Sequence, residues 1–162
     1  MKKLILPLIA TAGLSACSSI YIPTLKEVPV FPPQGQKVDT SVSAYRLSST
    51  HWTDVAKIRN EATRLSDQVS VGKITKVQAA QLLNHYRVKL VGHNQVDDSV
   101  YEVYLRSAVD SQRGAITPQQ SKLYIQGALK GWQQRWPNMQ NKPANPAFTN
   151  FMMEVMGLTP LQ

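Results

Sequence analysis

Chemistry in this chain has to come from a short inventory. Cys17 is the only cysteine, and His51, His85 and His93 are the only histidines. A thiol is a nucleophile and a target for covalent modification, but a lone cysteine has no disulfide partner within the chain. The histidines form no His-x-x-x-His pair, so the spacing that holds two imidazoles over a metal on one helix face is absent. No metal, haem or other cofactor is expected. Glu61, Glu102 and Glu154 suit acid–base work by type, and a glycosidase would need such a carboxylate in a cleft. Glu61 lies one helical turn from Lys57 and close to Arg64, which reads as a solvated ion-pair face. Glu102 stands three residues after Ser99 and reads as its capping-box partner. Asp97-Asp98 reads as a helix start, where negative charge meets the positive end of the macrodipole. There is no Gly-x-Ser-x-Gly elbow and no glycine-rich phosphate loop. The expectation is a chain without catalytic residues.

Cys17 does not stand alone. Lys2 and Lys3 open the chain, Leu4 to Leu14 is an apolar run of eleven residues interrupted by Pro7, and the small Ser15 and Ala16 precede the cysteine. That is the grammar of a secretory signal peptide, and eleven residues are too few to span a bilayer. Leu14-Ser15-Ala16-Cys17 resembles the lipobox of bacterial lipoproteins at all four positions. The resemblance covers residues 1–18. It implies that the signal peptide 1–16 is removed, that the Cys17 sulfur carries diacylglycerol, and that its new amino group is N-acylated, for instance by palmitate. Ser18 resembles the sorting residue that passes Gram-negative lipoproteins to the outer membrane, where Asp would hold them at the inner one. Several acyl chains anchor stably, since each buried methylene contributes about 0.8 kcal/mol and one chain alone is marginal. The expected location is the outer membrane, lipid-anchored, on the periplasmic face in preference to the cell surface.

The formal charge of the whole chain is +8, from 18 basic and 10 acidic residues; without Lys2 and Lys3 it is +6. Across the inner membrane no nucleic-acid partner is expected. Anionic lipid, lipopolysaccharide or an acidic surface of another envelope protein suits that charge, as does ordinary solubility. With no disulfide available, stability has to come from a packed apolar core. The 43% hydrophobic fraction, three Trp and six Tyr permit one.

The elements that position these residues fall into a tether and a helical domain. Residues 17–47 carry Pro23, Pro29, Pro32, Pro33 and Gly35 and no helical period, so they read as an extended, lipid-anchored tether. At roughly 3.1 Å per residue, about thirty residues reach on the order of 90 Å. From residue 48 to 162 the apolar spacing is helical. Trp52, Val55, Ile58, Ala62, Leu65 and Val69 predict a first helix. Ala79, Leu82, Leu83, Tyr86 and Leu90 predict a second. Val100, Tyr101, Tyr104, Leu105 and Ala108 predict a third, starting near Asp97-Asp98-Ser99. Ile125, Ala128, Leu129, Trp132 and Trp136 predict a fourth. The capping boxes Thr75 to Gln78, Ser99 to Glu102 and Thr117 to Gln120 mark starts, with Pro118 at the first helical position. Gly72-Lys73-Ile74-Thr75 and Gly114-Ala115-Ile116-Thr117 punctuate two similar helix-turn-helix hairpins 42 residues apart. Gly127 and Gly131 lie opposite the large apolar residues of the fourth helix. Each is unfavourable by about 1 kcal/mol there, which predicts that another segment approaches closely and that this helix is central.

Asn145 and Pro146 read as N-cap and first residue of a short last helix ending at Met156. Its stripe of Phe148, Phe151, Met152, Val155 and Met156 must be covered in water, either by closing the core or by a partner. The expected fold is all-α, a small bundle of about five helices. The combination of lipobox and helices resembles that of small helical lipoproteins such as secretin pilotins. The stretches His51 to Val55 and Asn145 to Phe151 resemble small uncharacterised all-helical outer-membrane lipoproteins of Gram-negative bacteria. What this implies is a non-catalytic protein-binding or envelope-assembly module. A cell-wall-acting enzyme and a surface lipoprotein contacting host molecules are the alternatives.

Overall fold

The structure, a computed structural model, describes residues 44–162. These fold into five α-helices with no strand among the described residues. They are α1 (His51–Ser70), α2 (Lys76–Val91), α3 (Gln95–Gln112), α4 (Pro118–Arg135) and α5 (Ala147–Val155), with a 3-10 turn, Trp136–Asn138, after α4.

Local chemistry accounts for most of the helix ends. Gly72 (φ 70°) and Gly114 (φ 73°) take the left-handed conformation that L side chains resist. Each turn then closes with the same bonds. Lys73 and Ile74 N–H both donate to Gln68 O, and Ala115 and Ile116 N–H both donate to Asp110 O. Thr75 with Gln78 and Thr117 with Gln120 complete reciprocal capping boxes. The two hairpins therefore share one turn, bond for bond.

The third helix begins earlier than Ser99. Asn94 is its N-cap, its side chain accepting from Asp97 N–H at 2.9 Å. Ser99 sits inside the helix, its hydroxyl donating to Val96 O and accepting the Trp132 indole N–H at 2.7 Å. Glu102 is exposed and belongs to no capping box. Extending the helix by this turn puts Val96 and Val100 in the core.

Two apolar stripes also shift. On α1 the buried row runs through His51, Val55, Ile58 and Leu65, while Trp52 is 46% exposed. On α2 the buried row is Ala80, Leu83 and Arg87, and Leu82 is exposed. In both cases a polar residue with distant partners takes the inward position.

Successive helices pack as neighbours: α1 on α2, α2 on α3, α3 on α4. The short α5 packs on α1, α3 and α4 together. Every residue from Ala147 to Met153 is buried, as expected of a helix enclosed on all sides rather than laid on a surface. This reverses the expectation for α4. A Cβ placed on Gly127 meets nothing within 4 Å, and one on Gly131 meets only Arg135 Nη2 at 3.8 Å. The central helix is α5, and the glycine face of α4 is outward.

The ends of the domain are tied down. Leu161 is buried, the Trp136 indole donates to Gln162 O at 2.7 Å, and Gln133 donates to Thr159 O. At the other terminus the Tyr45 hydroxyl donates to Pro143 O and its ring stands edge-on to Trp136 at 5.4 Å. Packed structure thus already includes Tyr45.

Candidate functional site

Cys17 and Ser18 lie outside the described residues. Of the expected partner face, Phe148, Phe151 and Met152 are core residues. Phe148 stacks edge-on with Tyr101 and Tyr104 at about 6 Å and tilts against Phe151. Met156 is partly buried against the same core, and only Val155 is exposed. That stripe is therefore not open to a partner. Each such side chain gives about 1.5–3 kcal/mol when buried, and α1, α3 and α4 supply the cover.

What seats α5 is polar. Its first residues lack a local cap, since Pro146 offers no side-chain acceptor and Asn145 points elsewhere. The cap comes from α3. Asp97, fully buried, accepts Thr149 N–H at 2.8 Å, Thr149 Oγ1–H at 2.7 Å, Phe148 N–H at 3.3 Å and Asn94 Nδ2–H at 3.0 Å. Burial pushes this carboxyl up, while the bonds from Thr149, Asn94 and Phe148 pull against it.

A second chain of bonds runs from α1 to the C-terminal tail. Leu161 N–H can only donate, so Asn150 Oδ1 must face it, at 2.8 Å. Asn150 Nδ2 then donates to Leu161 O and to His51 Nε2 at 2.8 Å. His51 Nε2 is thereby an acceptor and Nδ1 carries the proton, which it donates to Asn145 Oδ1 at 2.7 Å. Asn145 Nδ2 donates in turn to Asp54 Oδ2, which also takes the Thr50 hydroxyl. Burial raises the Asp54 carboxyl, but the bonds from Thr50 and Asn145 and the charge of Lys57 outweigh it, so its pKa is lowered. The donors of this row meet acceptors within it. His51, a catalytic type by chemistry, is here a strut.

A third polar group is Arg87. It is buried, donates to Asp98 and Asn84, and stacks near the Tyr101 and Phe148 rings. Its Nη1 has no partner among the described residues. His93 shares Asp98 at 3.1 Å. Burial raises the Asp98 carboxyl, and the bonds from Arg87 and His93 with their charges more than offset it, leaving it below the usual value. Of the acid–base candidates, Glu61 is engaged by Arg64 and Glu154 by Arg59. His85 and His93 do not join His51. No cluster of three His, Cys, Asp or Glu with metal-binding geometry occurs among the described residues. Nor is any described helix long and apolar enough to cross a membrane.

Besides a cavity of about 420 Å³ lined by Glu102, Val103, Arg106, Ser107, Asp110 and Tyr124, two features would meet a ligand or partner. One is a cavity of about 320 Å³, open on one side, at the end of the domain that carries the two glycine turns. All four long helices line it. Its walls are apolar through Leu65, Val69, Leu83 and Ile125, and its one charged residue is Lys76. Tyr104 also reaches it, with burial holding its hydroxyl above the ordinary value. The other is the outer face of α4. Leu123 is 64% exposed and Tyr124 55%, beside Gly127 and Gly131. The helix carries Lys122, Lys130 and Arg135 and no acidic residue. The sequence pointed to α4 through its glycines but not to the cavity, which has no local signature.

No protein family, curated protein or solved structure matches this chain.

Proposed function

We propose that the chain is an outer-membrane lipoprotein, anchored through acylated Cys17, whose helical domain is a non-catalytic module docking an acidic surface of another envelope protein. The anchor rests on the lipobox Leu14 to Cys17 and on Ser18. The docking reading rests on the outer face of α4. A helix-interior glycine is unfavourable by about 1 kcal/mol against alanine, and among the described residues only Arg135 Nη2 comes near Gly131, and nothing near Gly127, to offset it. Beside them, Leu123 and Tyr124 are left in water. Lys122, Lys130 and Arg135, with no acidic residue on the helix, favour an acidic partner on this side, while Glu102 and Asp110 of α3 line the flank beside Tyr124.

A photo-crosslinker at position 123 in intact cells, with one at the equally exposed Val71 as control, tests the docking. The expected result is a product specific to position 123 that weakens with salt and disappears with Lys130→Glu. Equal products from both positions, or a product indifferent to Lys130→Glu, would remove the docking face. Palmitate labelling that survives Cys17→Ala would remove the anchor instead.

A further inference from the structure

The cavity follows from one length. Nine residues of helix extend about 13 Å, against about 30 Å for the twenty of α1. Wedged among α1, α3 and α4, α5 keeps the bundle open along only part of its length. Beyond its end the four long helices surround unfilled space. Ala62 and Ser66 on α1, Ala79 on α2, Ala108 and Ser111 on α3, and Ser121 on α4 face it with small side chains. Large apolar residues at those positions would have filled the space, as they do around α5.

Size decides what the space accepts. A further helix of α5's length, about 10 Å across, occupies roughly 1,000 Å³, three times the 320 Å³ present. An apolar cavity of about 150 Å³ holds a benzene ring, so this one has room for roughly ten to twelve carbons. That is within the lower range of small-molecule sites. Apart from Tyr104 the apolar walls are aliphatic, which favours an alkyl chain. The head group is set by charge. Four antiparallel helices bring two N-terminal and two C-terminal ends to this end of the domain, so their dipoles largely cancel. Lys76 is exposed, lines the cavity, and is in no ion pair among the described residues. The serine hydroxyls add neutral hydrogen-bonding capacity.

We infer that the cavity binds a single-chain fatty acid of about ten to twelve carbons, its alkyl chain between α1 and α4 and its carboxylate at Lys76. This is independent of the docking face, which lies on the opposite side of α4.

The test uses the mature chain, residues 17–162, carrying Cys17→Ser so that neither covalent lipid nor detergent is present. Titration calorimetry with decanoate should show saturable one-to-one binding. Affinity should rise about fourfold per methylene from hexanoate to decanoate. Lys76→Gln should weaken decanoate roughly tenfold, the worth of one charge-assisted hydrogen bond, and leave decanol unchanged. Ala108→Phe should abolish binding while the protein stays folded by circular dichroism, and Ser66→Leu repeats the filling from another helix. No saturable binding overturns the inference. So does decyltrimethylammonium binding as tightly as decanoate, or decanoate binding that survives in either filled variant while folded.

Discussion

Replacing Asp97 by alanine tests whether α5 is held from outside its own sequence. The carboxylate caps α5 from α3 by accepting the Phe148 and Thr149 N–H groups, and it also takes the Thr149 hydroxyl and the Asn94 amide. Losing a helix cap is unfavourable by about 1 kcal/mol. Leaving the buried Thr149 hydroxyl without an acceptor adds about 1–3 kcal/mol, and the half-buried Asn94 amide, which keeps a 3.5 Å bond to Asn145 O, adds less. Part of this returns, because burial works against the charged carboxylate in the folded state. The net expectation is a loss of about 3 kcal/mol, a large share of the 5–15 kcal/mol typical of a domain. At about 4 °C per kcal/mol, the melting temperature should fall by roughly 12 °C. Urea melts of the wild type, Asp97→Ala, Thr149→Val and the double variant complete a cycle. Since the two side chains bond each other, the double variant should be less destabilised than the sum by about 1 kcal/mol. A loss below 1 kcal/mol for Asp97→Ala, or strict additivity with Thr149→Val, would show that α5 is seated by its apolar side chains alone.

Two further outcomes follow from the same geometry. Gly127→Ala should stabilise the domain by about 0.5–1 kcal/mol, and Gly131→Leu should be neutral or stabilising, because both positions face open space. Destabilisation of either in a denaturant melt would mean that a segment of the chain covers that face. Asp98 has a lowered pKa in the fold, so it contributes stability above about pH 4, the range of an unfolded carboxyl, that is lost as pH falls through its folded value. Asp98→Asn should therefore be less stable than wild type by about 1 kcal/mol at pH 7, a value discounted for screening because the carboxylate is more than a third exposed, with the gap narrowing toward pH 2.5. The other shifted carboxyls, Asp54, Glu61 and Asp97, are common to both proteins and cancel in the difference. A gap that does not change with pH would show that folding leaves the Asp98 carboxyl at its ordinary value.

What could be read from the sequence was what is decided within a few residues. The turns at Gly72 and Gly114, the boxes at Thr75 and Thr117 and the stop at Gly92 each depend on neighbours a turn away. The same rule misled at Ser99. Ser99 to Glu102 satisfies the box pattern, but Asn94 also caps, and burial of Val96 favours the earlier start. The stripes failed where long-range bonds outvoted hydropathy. Trp52 is the more apolar of the first two residues of α1, yet His51 turns inward because Asn145 and Asn150, more than ninety residues away, bond both of its nitrogens. Arg87 displaces Leu82 on α2 for a similar reason, with Asp98 and two aromatic rings waiting inside.

The same limit explains why the sequence left α5 open between closing the core and meeting a partner. Thr149 and Asn150 give it an apparently polar side. Buried without partners, two such side chains would oppose folding by several kcal/mol. With Asp97 and His51 placed to receive them, they orient α5 instead. A wholly apolar helix of this size could rotate about its axis among near-equivalent packings, whereas directional bonds to α1 and α3 fix one. That orientation puts Phe148 toward Tyr101 and Tyr104, and Asn150 toward Leu161 and the tail. It also leaves the end of α5 short of the glycine turns. The buried polar row at one end of the bundle and the open apolar cavity at the other are thus two consequences of a single nine-residue helix held in one position.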